Sequence, residues 1–543
     1  MGIMVSPGVF SREKDLSEII PNISSTSAAI VGYSAKGSLD VKTITNSQNF
    51  VNEYGKPVPG NYFHYSALAY LENGNVLYCK RVINGALYGG MSAVDRDSTD
   101  VNSAFGVGQS SAVFYDDSLV LDEIFSVFGK DPGVWNNKIS IKIVNVNNIY
   151  YDCDDEHTAE EVDQYTFTIE VYYENDNGDD VLVESWTVSR QHKIDGFGRQ
   201  IYLEDRINDF SDYILVADNE TPADTVVPST DTDVVAISGG TDGTDVTTGI
   251  INIGWAEFDN PDDIDVRILI NGGLTDKAVQ LAMLTIAEDR KDCICLFDMP
   301  YDYISSVDSM IDWRRDTQNF NSSYTALYSP WLKIYDSFND RIIEVPPSGY
   351  IASMIAYNDY VAQPWYAPAG FNRGILNVLS ISGVFDKGER DRLYQYQINP
   401  LQVFRGQGNV IWGQKTQQVK ASALDRVNVR RLLIILEKAI SASLQSFVFE
   451  PNNDLTRFRV VAMITEYLEL LSNQGAFQTE LGDDGYLVVC DTTNNTPAVI
   501  DRNELHVDIF IKPIRAAEFI QLQTIITTSG ASFTELVSKG VFF

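Results

Sequence analysis

Four histidines (His64, His157, His192, His506) and five cysteines (Cys79, Cys153, Cys293, Cys295, Cys490) are the residues of this 543-residue chain best suited to proton transfer, nucleophilic attack or metal ligation. Their spacing sets up none of these chemistries. No Gly-x-Ser-x-Gly elbow, His-Glu-x-x-His pair or Gly-x4-Gly-Lys-Ser/Thr loop occurs. Cys293 and Cys295 lie closest together, but inside the apolar run Cys293–Phe297, which reads as buried strand. An odd, scattered set of thiols is also no disulfide framework. Asp152-Cys-Asp-Asp-Glu-His157 could gather a cation on oxygen ligands or form a solvated acidic turn; it lacks a glycine-centred calcium loop. Asn175-Asp-Asn-Gly178 imitates part of such a loop, with Tyr173 at the first ligand position. Gly406-Gln-Gly408 lacks the third glycine of a dinucleotide loop. No catalytic residue, metal site or cofactor is expected.

The elements that would carry these residues belong to more than one domain, because the chain is too long for one ordinary core. Net charge is −35, which argues against a nucleic-acid footprint and against adsorption to anionic membranes. No apolar run approaches a membrane span and no basic-then-apolar leader is present, so a soluble protein made in a reducing compartment is expected. The charge is unevenly placed. From Arg96 to Asp245 there are 32 acidic and 8 basic side chains, a net of −24. Between Lys415 and Arg459 the sign reverses, with Lys420, Arg426, Arg430, Arg431 and Lys438 among the cations. That stretch reads either as a surface for an acidic partner or as a solvated helix face.

Periodicity predicts an α/β and α+β multidomain protein. Ala28–Gly32 reads as a buried strand, Tyr65–Leu71 as a helix and Val76–Val82 as a strand. From Val266 the order is strand, Asn271-Gly-Gly turn, helix Thr275–Arg290, strand Cys293–Phe297: a βαβ unit, hence a partly parallel sheet. A Tyr324–Tyr335 strand and a Pro347–Asn358 helix extend it. Residues 21–95 and 246–410 together form this α/β middle region. Residues 96–245 form an inserted, mostly β domain. There Tyr165, Phe167, Ile169, Val171 and Tyr173 share one strand face, and Asn177-Gly178 turns the chain into the Val181–Val188 strand. Residues 411–529 form a C-terminal α+β domain. Ser422–Asp425 is expected to be a capping box opening a long helix, followed by a Leu455–Asn473 helix, strands Tyr486–Cys490 and His506–Pro513, and a helix from Arg515 to about Gly530. Residues 1–20, with Val5-Ser-Pro-Gly-Val-Phe10, and 530–543, ending Val-Phe-Phe, read as extended arms.

The most distinctive passage runs from Pro330 to Gly370 and holds five prolines without any nucleophile–base pair. Each proline pins φ and removes a donor, so the passage fixes backbone shape. Its Pro330-Trp331, Val345-Pro-Pro-Ser-Gly349 and Ala367-Pro-Ala-Gly370 resemble the contractile tail-sheath proteins of phages, the large myovirus type above all. So do Ser6-Pro-Gly-Val9, Ile398-Asn-Pro400, Gly408…Ile411-Trp-Gly413, Val427-Asn-Val-Arg-Arg431, Phe449-Glu-Pro-Asn452 and Phe510-Ile-Lys-Pro513. Residues 96–245 match no pattern of that family.

The resemblance implies a structural subunit, not an enzyme. Such subunits stack as six-fold rings in a helical homopolymer around an inner tail tube, and baseplate and tail terminator proteins complete the partners. The polymer contracts to drive the tube through the host envelope. It implies a virion tail-sheath location with assembly in the host cytoplasm, no nucleic acid partner and no direct membrane insertion. The C-terminal domain and chain ends would lie innermost and insertions outermost, making Lys420, Arg426, Arg430, Arg431 and Lys438 tube-facing. Arms that add strands to a neighbour's sheet would carry Met4, Val5, Val9 and Phe10 at one end and Phe533, Leu536, Val541, Phe542 and Phe543 at the other. A phage-tail-like bacteriocin or extracellular injection particle would use a similar subunit. Two readings from other classes are a hydrolase, needing a Ser or Cys beside one of the four histidines, and an adhesin binding glycans through 96–245.

Overall fold

The computed structural model describes residues 26–104, 106–113, 123–145, 149–150, 161–162, 165–175, 177–194, 197–219, 223–480 and 483–520. Its centre is a nine-stranded sheet. In spatial order the strands are Ile375–Leu376, Gly408–Ile411, Ile398–Phe404, Thr325–Ser329, Ile294–Asp298, Ile268–Ile270, Ser27–Gly32, Val76–Arg81 and Lys42–Ile44. The six from Ile398–Phe404 to Val76–Arg81 are parallel, and the outer strands pair antiparallel. Side-chain alternation splits Ser27–Gly32 between two cores. Ala28 and Ile30 face the helices Tyr62–Leu71 and Ser348–Val361, while Ala29 and Val31 face Thr248–Ala256 and Lys277–Arg290.

The Val345-Pro-Pro-Ser-Gly349 passage has a packing explanation. A Cβ on Gly349 would lie 2.5 Å from the Ser66 carbonyl oxygen, so only glycine lets the helices Ser348–Val361 and Tyr62–Leu71 approach this closely. Ser348 Oγ donates to Asp298 Oδ2 at 2.7 Å, and its N–H donates to Asp298 Oδ1 at 2.8 Å. The helix start is thereby tied to the C-terminal end of the central Ile294–Asp298 strand.

Two further four-stranded sheets arise between Gly90 and Ala236. Phe125 of the strand Glu123–Gly129 stacks on Phe167 of the strand Thr166–Glu174, with centroids 5.6 Å apart, and joins the two sheets. Phe167, Ile169 and Val171 are buried on one face, as the alternation predicts. The chain enters this region beyond the C-terminal end of Val76–Arg81. There the buried Arg81 guanidinium donates to the carbonyls of Ser34, Gly37, Ala35 and Pro132, at 2.7, 2.7, 3.1 and 2.8 Å. One side chain thus fastens the root of the excursion to the central sheet.

The helices Val427–Leu444 and Asp454–Asn473 pack as a pair around Leu432, Leu436, Val460, Ile464 and Leu468. A two-stranded antiparallel sheet, Tyr486–Val489 with Asp508–Ile511, lies against them. The linker to this unit runs at the N-terminal end of the parallel strands: Gln417 N–H donates to Thr325 O, and Asn399 holds Lys415 through both its amide groups.

Three local expectations are corrected. The Tyr324–Tyr335 strand is two strands, Thr325–Ser329 and Leu332–Asp336, in different sheets, because Pro330 has no N–H with which to continue the ladder. Ser422 caps a short 3₁₀ turn, Ala423–Asp425, by accepting from Leu424 N–H; the long helix starts after Arg426 without a side-chain cap. Arg515–Ile520 carries no helix: this stretch is drawn out along the body, where Glu518 meets Arg426.

Candidate assembly interface

The C-terminal sheet combines two features that fit a strand acceptor. No third strand pairs with Tyr486–Val489 or Asp508–Ile511 among the described residues. Lys512 N–H bonds to Gly485 O, so the alternation of antiparallel bonding turns the backbone groups of Ile509 and Ile511 toward one outer edge and those of Tyr486 and Val488 toward the other. Side chains of these four pack on the helix pair. On the opposite face, the cross-strand partners Leu487 and Phe510 are each 58% exposed. Open edges beside an apolar pair are what a further strand would need in order to pair here.

Four of the five cations read from sequence as tube-facing are engaged within the chain. Arg431 is buried and makes a two-pronged pair with Asp359, Nη1 donating to Oδ1 at 2.8 Å. Arg430 is buried against the Tyr324 ring, 4.1 Å from its centroid, and faces Glu437. Lys438 donates to Asp292 at 3.1 Å, beside Arg290 and Arg267 on the same carboxylate. Arg426 holds Glu518. Only Lys420 among the five is exposed. The expectation of a basic face is therefore corrected for Arg430 and Arg431, which are core pairs. Charge counting along the chain could not see this, because Asp359, Glu518 and Asp292 lie 72, 92 and 146 residues from their partners.

Sequence reasoning also missed a serine–histidine contact. Ser34 Oγ lies 3.3 Å from His64 Nε2. Both, however, point at one backbone acceptor: Ser34 Oγ donates to Tyr54 O at 2.7 Å, and His64 Nε2 lies 3.1 Å from the same oxygen. A nitrogen that donates its hydrogen to Tyr54 O cannot take the serine proton. Burial lowers the His64 pKa to about 4, and among the described residues its Nδ1 has no partner and so no orienting carboxylate. The pair is a sealed hydrogen-bond cluster, not a nucleophile and base.

The glycine turn after Ile268–Ile270 is likewise filled from within. Gly272 and Gly273 have φ of 60° and 80°, and this turn lies beside the C-terminal end of Ser27–Gly32, where doubly wound sheets bind ligands. The Gly272 N–H donates to Ser348 Oγ at 3.0 Å and the Gly273 N–H to Asp298 Oδ2 at 2.9 Å. Both donors of this anion-binding turn are spent on the protein's own groups. Burial pushes the Asp298 carboxyl up to about 6, against the hydrogen bonds from Ser348 and Gly273 that pull it down.

Cys293 and Cys295 are buried, Cys295 within the strand Ile294–Asp298 and Cys293 just ahead of it, and no cluster with metal-ligating composition occurs among the described residues. Asn175 Oδ1 closes its own turn by accepting from Asn177 and Asp179 N–H. Asp152–His157, and the arm residues Met4, Val5, Val9, Phe10, Phe533, Leu536, Val541, Phe542 and Phe543, lie outside the described residues. No helix among the described residues is long and apolar enough to cross a membrane.

Residues 241–417 match the phage tail sheath protein central domain, and residues 419–527 match the phage tail sheath C-terminal domain, together more than half of the chain. The chain belongs to the phage tail-sheath family. It is 34% identical over 380 residues to the tail sheath protein of Enterobacteria phage T4, covering 66% of this chain and 56% of that one. It is 35% identical over 303 residues to the tail sheath protein of Vibrio phage KVP40, covering 51% and 44%. The chain thus spans about half the length of the relatives it matches. The fold is similar to the helical sheath of the anti-feeding prophage in its contracted state, with a TM-score of 0.54 and 16% identity over 96% of this chain and 99% of that one. The boundary between the two matched domains, at residues 417–419, falls on the linker that Gln417 bonds to the central sheet.

Proposed function

We propose that this chain is a structural subunit of a contractile tail sheath. It polymerises helically around an inner tail tube and contracts to drive that tube through a host envelope. The observation that carries the reading is the match of both sheath domains in order, on a C-terminal unit whose two-stranded sheet has open edges. Residues 411–529 act as the inner domain. Residues 96–245 form the outer, acidic layer, whose charge discourages side-to-side association. Residues 1–20 and 530–543 are arms that add strands beside Tyr486–Val489 and Asp508–Ile511 of neighbouring copies. A head-to-tail exchange of this kind generates an open helix instead of a closed dimer.

The links Arg431–Asp359, Lys438–Asp292 and Arg430–Tyr324 hold the long C-terminal helix on the central region, so each subunit moves as one body while its arms stay attached. Contraction runs downhill from a kinetically trapped extended lattice and consumes no nucleotide. Partners are further copies of this chain, an inner tube protein, and baseplate and terminator proteins. Lys420 remains on the tube-facing surface. A phage-tail-like bacteriocin or extracellular injection particle would use the same subunit in the same way.

The test is negative-stain electron microscopy of the full chain and of forms lacking residues 1–20 or 531–543. Hollow striated tubes from the full chain and none from the truncated forms are expected. Equal tube formation by both truncations would rule out arm exchange.

A further inference from the structure

The stretch from Lys512 to Glu518 leaves the C-terminal sheet and crosses to the central region, and one carboxylate stops it there. Glu518 Oε1 accepts from Arg426 Nε at 2.6 Å and from Gln414 Nε2 at 3.1 Å. Glu518 Oε2 accepts from Arg426 Nη2 and from the Tyr394 hydroxyl, both at 2.9 Å. Four donors on one carboxylate, two of them a guanidinium fork, are far more than a surface ion pair provides. The donors come from three places: the helix Lys387–Gln395, the linker at Gln414, and Arg426 just ahead of the helix Val427–Leu444. The cradle is itself braced. Arg426 Nη1 pairs with Asp425 at 3.0 Å, and Lys415 Nζ sits 4.3 Å from the Tyr394 ring centroid while donating to the Tyr394 carbonyl. Beneath the strap, a cavity of about 370 Å³ lined by Ala421, Asn428, Val429, Arg515 and Phe519 leaves it little support of its own.

We infer that Arg426, Tyr394 and Gln414 form a carboxylate receptor occupied by the chain's own Glu518, and that this lock fixes the point from which the C-terminal residues leave the body. Before Glu518, the last backbone bond from the strap to the body among the described residues is Ile514 N–H to Ala476 O, at 3.0 Å. Opening the lock moves the root of the tail back from Glu518 to Ile514, four residues or roughly 14 Å of extra chain. A longer, looser tether lowers the effective concentration of the tail at any neighbouring edge. The lock itself follows from this chain's geometry; its consequence for assembly rests on the sheath reading.

Trypsin tests the two apart. Arg515 is exposed and lies between the two anchors. In Glu518→Gln and in Arg426→Gln, cleavage after Arg515, followed by mass spectrometry on the folded monomer, is expected to speed up by about tenfold, the loss of one charge-assisted anchor. The exchanged pair Glu518→Arg with Arg426→Glu is expected to recover part of the protection. Melting of the central body should be unchanged in Glu518→Gln, which keeps the side chain's size. Unchanged cleavage in both single variants overturns the lock. Where the wild type forms tubes, fewer or shorter tubes from Glu518→Gln support the tether consequence, and equal tubes overturn it. A wild type that forms none removes unaided self-assembly from the sheath reading but leaves the cleavage result standing.

Discussion

Arg431 and Asp359 meet as a two-pronged ion pair between the helices Val427–Leu444 and Ser348–Val361, with 4% and 3% of their side chains exposed. Removing either one leaves the other charge buried without its counter-ion. Arg431→Met or Asp359→Asn should each destabilise the fold by about 3–5 kcal/mol, because a buried charge loses its counter-ion. The double variant Arg431→Met with Asp359→Asn should lose less than the sum of the two single changes. Urea denaturation of the three variants checks the cycle, and additive losses would mean the pair is not coupled. Charge reversal at Arg430 and Arg431 should accordingly unfold the chain before it affects any partner.

Asp298 sets a pH dependence of definite sign. Its carboxyl has a folded pKa of about 6, above the unfolded value. A group raised in this way favours the folded state most at low pH, and that contribution is lost as pH rises through the folded pKa. Between roughly pH 4 and 6, the stability of the wild type relative to Asp298→Asn should therefore fall by about 3 kcal/mol. Denaturation of both proteins at several pH values gives that difference directly; a flat difference would show that the hydrogen bonds from Ser348 and Gly273 already hold the carboxylate ionised.

Leu487 and Phe510 are neighbours across an open-edged sheet and contribute little to their own fold. Replacing both with threonine should cost the monomer less than about 1 kcal/mol. Assembly should suffer far more. Melting and electron microscopy of the same preparation separate the two effects, and intact tubes would move the strand acceptor elsewhere.

The Ser34–His64 contact should be chemically silent. A chromogenic ester should be turned over no faster by the wild type than by Ser34→Ala, whereas a serine-dependent rate would restore the hydrolase reading.

Arg81 donates to four carbonyls, including Pro132 at the root of the acidic excursion. Lysine cannot span them, since its ammonium has three donors on one atom and no planar fork. Arg81→Lys should lower the melting temperature and raise proteolysis between residues 83 and 245, checked by limited digestion.

Local pattern alone was enough for much of this protein. Alternation marked Phe167, Ile169 and Val171 as one buried face, and the run of apolar β-formers at Ala28–Gly32 marked a central strand. The βαβ unit was legible because helical and strand periodicities differ over lengths that fit inside one window. The motifs that carried the family resemblance could be read as a series, although not what they do: Gly349 is there because two helices nearly touch, and nothing in Val-Pro-Pro-Ser-Gly names Ser66 as the contact. Tertiary structure alone decided the fate of the charges. Arg426, Arg430, Arg431 and Lys438 look like a basic surface in a linear count, yet Glu518, Tyr324, Asp359 and Asp292 reach them from distant segments. It also decided that Arg515–Ile520 forms no helix, because the carboxylate that would sit on a helix finds four donors on the body. Coulombic and hydrogen-bond partners act through space, and only the folded chain brings them within range.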